Sequence, residues 1–488
     1  MPTLVLKFLQ ICLLVYVFVF CYEWWRPLPF ELTATAQVFS VPASGVHFYA
    51  DTTFTDAKGK RQVNQSIWPH IFSIIENAHH YILLDMFLFN NFQGKIPETT
   101  ATLSHDLTEK LIAQKKNDGH IAIAVITDPI NTVYGGAINS DFESLRSANI
   151  PVIETDLNVL LDSNLMWSAF WRSFIGWFGN STGGFFPHPF QWHGDMVTLR
   201  SWLALANVKA NHRKILVADT PSPKGSKTTP GKMVTIITSA NPHDASSANG
   251  NVALQIDDNV WQDVVTNERV VAELSGTAIT SYMTTEVNDQ KGDVTVMILR
   301  EEQIKKRALE LINRAATGDT LNMAMFYLSD RDIIYALKKA SQRKALVTLV
   351  LDPNKDAFGF EKNGIPNQPV AKELIDGSDG HINIRWCDTH GEQCHAKMLL
   401  GKVGTTTFIL LGSANFTRRN IGGYNLEEDA YVESLNVFPA WNDANTYFNN
   451  IASNKNATYT TDYLTYKDDT LWKAPLYRIM ERTGLSSF

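Results

Sequence analysis

The chain has 488 residues, of which 44% are hydrophobic and 19% charged, and its formal net charge is −7. This length exceeds one ordinary core and predicts two domains of about 200 residues, while the composition excludes a mainly disordered chain. The acidic balance and the absence of a basic run argue against a protein that binds nucleic acid through its phosphates.

The N-terminal segment is apolar enough to enter a membrane. The run from Leu4 to Tyr22 is nearly all apolar and long enough to cross a bilayer as a helix, and it ends in an aromatic and basic belt, residues 22–26. A cleaved signal peptide is the rival interpretation, but no small-residue cleavage site follows the run. We therefore predict an uncleaved single-pass anchor over residues 1–26. Lys7 and Arg26 leave its orientation open, and we expect the catalytic domains to be extracytoplasmic, either periplasmic or lumenal.

A long internal repeat follows the anchor. A helix and an apolar strand recur in both halves, and each is followed by an amphipathic helix and a strand ending in Asp-Pro, at Asp128 and Asp352. Strands that alternate with helices predict parallel sheets covered by helices, an α/β architecture. The repeat predicts one domain at residues 39–288 and a second at residues 292–488.

The first repeat contains an insertion rich in aromatic residues. The stretch from the Asp-Pro strand to the histidine motif described next spans 84 positions in the first repeat and 43 in the second, which predicts an insertion at about residues 144–203. Trp167, Trp171 and Trp177 recur there near helical spacing. Such a face suits an interfacial helix or the wall of a lipid-chain cleft, and a buried helix between domains fits equally well. We predict that these tryptophans contact membrane or lipid.

Each repeat also carries the same two polar motifs. His212-Arg-Lys214 and His395-Ala-Lys397 each open an aliphatic run, where residues two apart share one face of a strand. A second apolar run then ends in Ser-Ala-Asn in both repeats, with the polar residues Ser239, Asn241, Ser413 and Asn415. One His-x-Lys occurs by chance, but two in the same context predict one active site built from two halves.

These motifs resemble the phospholipase D superfamily, whose signature is HxKxxxxD followed by GSxN in each of two repeats. The first copy is completed by Asp219, although Thr238 stands where glycine is usual, and in the second copy Lys402 replaces the aspartate. The sequence around His212 is similar to the cardiolipin synthase branch. The resemblance implies two phospholipase D-like α/β domains related by pseudo-twofold symmetry, with the site at their interface. It also implies that Asp219 supports the fold around the site.

The resemblance implies phosphodiester chemistry that needs neither a metal nor a cofactor. Lys214 and Lys397 would neutralise the non-bridging oxygens, and the serines and asparagines of the Ser-Ala-Asn motifs would donate further hydrogen bonds to phosphate. One histidine would attack phosphorus to give a phosphohistidine, and the other would protonate the leaving oxygen and then deprotonate the acceptor.

The two histidines need different pKa values for these roles. A nearby lysine lowers the pKa of a histidine and a nearby carboxylate raises it. Glu427 follows the second Ser-Ala-Asn motif, where the family often has an orienting glutamate, whereas residues 251–255 of the first repeat contain no acid. We therefore predict His212 as the nucleophile and His395, supported by Glu427, as the general acid and base.

Two cysteines bracket a short loop before the second histidine. Cys387 and Cys394 would form a disulfide if this part of the chain is exported. Two reduced thiols are the plain alternative, and a metal site with Asp388 and His390 has no recognised spacing.

The leading function is that of a membrane-anchored phospholipid enzyme, either a hydrolase or a phosphatidyltransferase with an alcohol acceptor. An exported nuclease of the same superfamily is the second hypothesis, and the acidic net charge opposes it. An inactive membrane scaffold is the third, and the retention of both His-x-Lys pairs opposes that one.

Overall fold

The apolar N-terminal run folds as one helix, α1 (Pro2–Trp25). The computed structural model describes residues 2–221, 231–257, 259–280, 292–378, 380–486 and 488. Within these ranges α1 is the one helix long and apolar enough to cross a membrane, with a mean hydropathy of 2.5. Residue 288, the predicted end of the first domain, lies outside the described residues.

The other helices and the strands alternate through the rest of the chain. Further helices are α2 (Ile67–Asn77), α3 (Leu103–Asn117), α4 (Ser140–Ser147), α5 (Leu165–Phe174), α6 (Leu199–Leu205), α7 (Val260–Leu274), α8 (Glu302–Arg314), α9 (Arg331–Gln342), α10 (Asn367–Asp376), α11 (Arg418–Ile421), α12 (Pro439–Ser453) and α13 (Lys473–Thr483). The strands of the first half are β1 (Phe39–Val41), β2 (Val46–Ala50), β3 (Thr52–Thr55), β4 (Arg61–Asn64), β5 (Tyr81–Met86), β6 (Ala122–Thr127), β7 (Val152–Glu154), β8 (Lys214–Asp219), β9 (Met233–Thr238) and β10 (Val252–Ile256). Those of the second half are β11 (Val294–Arg300), β12 (Thr320–Met325), β13 (Leu346–Leu351), β14 (Asp356–Ala357), β15 (Phe360–Glu361), β16 (Ile382–Cys387), β17 (Lys397–Val403), β18 (Thr406–Gly412), β19 (Glu428–Ser434) and β20 (Thr460–Asp462).

Local sequence explains why the repeated helices form. In α8 the buried residues Ile304, Ala308, Leu311 and Ile312 recur on one side, as expected of a helix that covers a sheet. Asp330 caps α9, because its side chain accepts hydrogen bonds from the backbone N–H groups of Asp332 and Ile333.

Two large sheets repeat one strand order among the described residues. The seven-stranded sheet runs β2-β10-β9-β8-β5-β6-β7, and the centre of the nine-stranded sheet runs β11-β19-β18-β17-β12-β13-β16. Strands β1 and β20 extend the second sheet at its two edges. The domain boundaries remain a prediction, and β1 at Phe39–Val41 pairs with β11 of the second half.

The expectation of parallel sheets is correct for only part of each sheet. β5, β6 and β7 are parallel, as are β12, β13 and β16, because helices connect them. The strands that follow each His-x-Lys motif, β8 to β10 and β17 to β19, are antiparallel. The predicted α/β class is nevertheless confirmed.

The two sheets pack face to face over a shared apolar core. This core takes Ile215 and Leu254 from the first sheet and Met398 and Val432 from the second. The outer face of the first sheet is covered by α2, α3 and α4, and that of the second by α8, α9 and α10. The packing therefore brings the starts of β8 and β17 towards one interface, and each motif histidine lies two residues before its strand.

Candidate active site

Each histidine is held by the backbone of the opposite half. The N–H of His212 donates to the carbonyl of Leu426 at 2.8 Å, and the N–H of Leu426 donates to Ala210 at 3.0 Å. The second half repeats this arrangement, since the N–H of His395 donates to Gly250 at 2.8 Å. The loop that follows each Ser-Ala-Asn motif thus crosses the interface and pairs with the other repeat.

The two lysines take matching positions. Lys214 Nζ donates to the carbonyl of His212 at 2.6 Å, and Lys397 Nζ donates to that of His395 at 2.8 Å. Lys214 also lies 5.0 Å from the ring centre of Phe87, and Lys397 has an equivalent aromatic partner. All four motif residues are at most 8% exposed. The structure therefore brings the two His-Lys pairs together, as predicted. Their catalytic roles remain a prediction.

Glu427 supports a different histidine from the one predicted. Its Oε2 lies 2.9 Å from Nδ1 of His212, and the hydroxyl of Ser413 donates to the same oxygen at 2.5 Å. The prediction that Glu427 orients His395 is wrong in this geometry, because the loop carrying Glu427 crosses to the first repeat before β19 begins. Asn420 donates to the other carboxylate oxygen.

His395 instead faces a neutral amide. Its Nδ1 lies 3.2 Å from Oδ1 of Asn251, the residue that stands before β10 as Glu427 stands before β19. Ser239 donates to the same oxygen at 3.2 Å. One histidine therefore has an acid as its partner, as the sequence predicted, and the other has an amide. Each partner, however, contacts the histidine of the opposite repeat.

The serines and the asparagines of the Ser-Ala-Asn motifs have different surroundings. Ser239 and Ser413 direct their hydroxyls to Asn251 and Glu427, and each also accepts from a backbone N–H at 3.0 Å. The prediction that these serines bind phosphate is therefore corrected, because their hydrogen-bonding capacity is used in orienting the partners of the histidines. Asn241 and Asn415 line the cavity next to the histidines.

Asp219 lies at the far end of β8 and holds the loop before β5. Its carboxylate accepts hydrogen bonds from the backbone N–H groups of His80 and Tyr81, both at 2.9 Å. In the second half Lys402 occupies the matching register position and is exposed. Asp319 does the equivalent work there, since its carboxylate accepts from the N–H groups of Ala316 and Gly404. The substitution by lysine is thus compensated locally.

Two aspartates of the site have no role in the sequence-based prediction. Asp128 Oδ2 accepts from the N–H of Asn211, and Asp352 Oδ2 accepts from the N–H of Cys394, both at 2.7 Å. Each carboxylate therefore fixes the residue immediately before a motif histidine. The repeated Asp-Pro is the sequence signal for this pair of aspartates.

A buried ion cluster lies behind the first motif. The guanidinium of Arg213 bonds to Glu268 at 2.7 Å and to Glu301 at 2.9 Å, with no exposure of its own side chain. Glu301, at φ 46°, also accepts from the N–H of Glu427 at 3.3 Å. The cluster joins α7 to the second half and has no counterpart at Ala396.

Burial and neighbouring charges set the protonation states of the site. Burial lowers the pKa of His212 to about 4, although Glu427 partly raises it, and burial also lowers the pKa of Lys214 to about 7. The pKa of His395 lies well below its ordinary value because of burial and then because of Lys397 and Lys214. For Glu427, burial raises the pKa of the carboxyl, but His212 and Lys214 lower it by more. His212 is therefore neutral beside an ionised Glu427.

Both histidines open onto one cavity of about 560 Å³. Its polar wall includes Asn241, Asn415 and Arg419. The remaining wall is mostly apolar and comes from both repeats, with Phe87, Leu88, Phe92, Ile130, Phe190, Val208, Phe326 and Phe358. The arrangement offers two imidazoles and two cations for a phosphodiester, with apolar surface beside them.

The predicted lipid-contacting tryptophans do not form one exposed face. Trp177 is 77% exposed, whereas Trp171 is only 7% exposed and packs beneath the guanidinium of Arg200. Trp167 is partly buried and donates to the carbonyl of Leu203 at 3.1 Å. The prediction for Trp171 is corrected, because α5 turns this ring into the protein. The exposed large apolar residues between Leu165 and Phe178 are Met166, Phe170, Trp177 and Phe178.

The cysteine pair is bonded. Cys387 at the end of β16 and Cys394 form a disulfide that closes the loop before His395. Cys12 and Cys21 are free thiols in α1.

Comparison with known proteins gives the family. Residues 308–451 match the family described as "Cardiolipin synthase, PLD-like domain". These residues, which contain the second His-x-Lys motif, are a phospholipase D-like domain by sequence. No curated protein matches the chain in sequence. The predicted resemblance to the phospholipase D superfamily is thus confirmed for residues 308–451.

Solved structures resemble this phospholipase D-like chain at low sequence identity. The phosphatidylserine synthase of Haemophilus influenzae has a TM-score of 0.52 and 10% identity, with 93% of this chain and 95% of the synthase covered, which shows a common fold. The polyphosphate kinase of Porphyromonas gingivalis has a TM-score of 0.44 and 12% identity, with 89% and 52% covered. A phospholipase D family member of Salmonella typhimurium has a TM-score of 0.27 and 18% identity, with 35% and 98% covered.

Proposed function

We propose that this phospholipase D-like protein is a membrane-anchored phosphodiesterase or phosphatidyltransferase that acts on phospholipids through a phosphohistidine. The observation that carries the proposal is the single cavity onto which His212 and His395 both open. Its apolar wall suits the acyl part of a lipid, and the lysines that follow the histidines suit its phosphate. The family description of residues 308–451 and the phospholipid synthase fold support the same substrate class.

His212 is the nucleophile in this mechanism. Its Nδ1–H donates to the ionised Glu427, which leaves the lone pair of Nε2 free to attack phosphorus. The bond from phosphorus to the leaving alkoxide breaks as the bond to Nε2 forms. Lys214 and Lys397 neutralise charge on the non-bridging oxygens, and the amide groups of Asn241 and Asn415 donate to the same phosphate.

His395 serves as the general acid and then as the general base, because the bound phosphodiester anion raises its pKa and lets it carry the proton. It gives a proton to the departing alkoxide and takes one back from the acceptor hydroxyl, which then attacks the phosphohistidine and frees His212. Water as acceptor gives hydrolysis, and an alcohol such as phosphatidylglycerol gives transfer. The chemistry is the same in both cases, so access of the acceptor decides the product.

The anchor and the compartment belong to the same proposal. α1 holds the protein at a membrane, and the disulfide between Cys387 and Cys394 supports an oxidising compartment for the catalytic halves.

The test is to incubate the purified full chain with phosphatidylglycerol, phosphatidylethanolamine and single-stranded DNA in separate reactions. Cardiolipin or phosphatidic acid formation that is lost in His212→Ala and His395→Ala supports the proposal. His105→Ala is the matched control, because this exposed histidine lies on α3, away from the cavity lining. Release of nucleotides without lipid turnover would select the nuclease, and no turnover of any substrate would select the scaffold.

A further inference from the structure

Helix α5 of the aromatic insertion packs along α1. The hydroxyl of Tyr16 donates to the carbonyl of Met166 at 3.2 Å, and Arg172 lies 3.5 Å from Glu23. The two contacts are six or seven residues apart in both helices, so α5 runs parallel to α1. Arg26 adds hydrogen bonds to the carbonyls of Val159 and Leu160, which fix the end of α1 to the chain before α5.

The contact surface of α1 lies within its apolar run. Residues 3–11 are exposed on all sides, whereas Cys12, Tyr16, Val19, Phe20 and Glu23 form one less exposed stripe. The run from Leu4 to Tyr22 is about 28 Å long as a helix, close to the hydrocarbon thickness of a bilayer. The C-terminal half of the membrane-crossing segment is therefore the part that carries α5.

We infer that α5 enters the lipid bilayer together with α1, with its Met166 end in the acyl-chain region and Trp177 near the headgroups. This inference rests on the proposed anchoring of α1 in a membrane. Tyr16 lies six residues, about 9 Å, from Tyr22 at the aromatic belt, so its partner Met166 lies at a similar depth. Arg172 lies beside Glu23 at the level of the belt, so its charge is paired at that depth.

The exposed surface of the α5 segment has the composition that this position requires. Met166 is 71% exposed and Phe170 is 40% exposed, and their charged neighbour Arg172 is paired with Asp162 and faces the protein. Trp177 and Phe178 follow α5 and remain exposed, as residues at a membrane interface do. A lipid bilayer is therefore the partner that fits this surface, because the surface lies directly beside the apolar helix α1.

The cavity that contains both histidines lies close to the protein-facing side of α5. Asn164 and Ser168 at the start of α5 bond to Ala206 and Asn207. The neighbouring residues Leu205 and Val208 line the cavity. An α5 embedded in the bilayer places that cavity beside the membrane surface from which a phospholipid is drawn.

Depth measurements on the full chain test the inference. In a Cys12→Ser/Cys21→Ser background that keeps the Cys387–Cys394 disulfide, an environment-sensitive fluorophore is attached to Met166→Cys, Leu13→Cys or Leu346→Cys. Leu346 is 56% exposed on β13 and serves as the matched control. The proteins are reconstituted in vesicles of phosphatidylglycerol and phosphatidylethanolamine, with and without acyl-chain spin labels.

We expect a blue shift of the emission and quenching by the acyl-chain spin labels at positions 13 and 166, and neither effect at position 346. Quenching at 13 with a water-like emission at 166 would overturn the inference and leave the anchor in place. A water-like emission at both positions would also overturn the proposed anchoring of α1. The activity on lipids is measured in a separate assay and would not be affected by that result. Phe170→Cys provides a second reporter on α5, and its label should also be quenched.

Discussion

Glu427 Oε2 lies 2.9 Å from Nδ1 of His212, a contact between residues 215 positions apart. It is made across the interface, and its counterpart is the contact of Asn251 with His395. Each histidine therefore depends for its orientation on the opposite repeat.

Replacement of Glu427 by glutamine should slow the reaction more than it weakens binding. The amide cannot stabilise the positive charge that develops on His212, so we expect kcat to fall by about 10²-fold or more, by analogy with the loss of a triad carboxylate. Glu310→Gln on the exposed side of α8 is the control. Steady-state kinetics with phosphatidylglycerol measure the change, and an unaltered kcat would remove Glu427 from the mechanism.

Replacement of Asn251 by aspartate should shift the pH dependence in one direction. A carboxylate beside His395 raises its pKa, so the protonated acid persists to higher pH and the alkaline limb of kcat should move up by about 1–2 pH units. Asn251→Ala removes the amide without adding charge and should lower kcat with no upward shift. A profile for the aspartate variant that coincides with wild type would contradict the contact.

The wild-type value of kcat/KM should fall more steeply above about pH 7, in addition to the decline that deprotonation of His395 causes at lower pH. Burial lowers the pKa of Lys214 to about 7, and the cation is the form that holds phosphate, so the active fraction of the free enzyme falls as pH rises through that value. Lys214→Arg keeps its charge throughout the alkaline range and should show lower activity without this limb. If kcat/KM declined at the same pH in both proteins, the decline would belong to another group.

Loss of Arg213 should destabilise the fold strongly. Arg213→Ala leaves Glu268 and Glu301 as buried carboxylates without their cation, which costs about 3–5 kcal/mol of unfolding free energy. Arg146→Ala breaks an exposed pair and should cost about 0–1 kcal/mol. Denaturant unfolding of both variants gives the comparison, and equal costs would show that the buried cluster is energetically neutral.

Reduction of the disulfide should lower stability. The bond between Cys387 and Cys394 closes a short loop, and its removal costs about 2–3 kcal/mol in the chain-entropy model. Thermal unfolding with and without reductant measures this loss. Cys387→Ser/Cys394→Ser should melt at the reduced temperature and show no response to reductant, and a wild-type protein that ignores reductant would carry two thiols.

The sequence predicted those features that are encoded locally. His212 with Lys214 and His395 with Lys397 each stand two apart at the start of an aliphatic run, so their strands and shared faces follow from periodicity alone. The repeat of helix, strand and Asp-Pro predicted the doubled α/β fold in the same way. These features need no information about what packs against them.

The remaining features depend on contacts between distant segments. Glu427 was assigned to His395 because the two lie in one repeat, and no local pattern reveals that the loop pairs with Ala210 of the other repeat. Trp171 has the helical spacing of an exposed face, yet its partner Arg200 lies in a later helix. The loss of an aspartate at Lys402 is offset by Asp319, which lies before the strand and outside the motif.

The exchange of loops between the repeats changes which positions constrain one another. A mutation at 427 acts on the histidine at 212, and one at 251 acts on the histidine at 395. In an alignment of homologues, correlated substitutions should therefore link residues from opposite repeats, and the two repeats should diverge as a matched pair. Neither repeat is a self-sufficient module, although each has its own sheet.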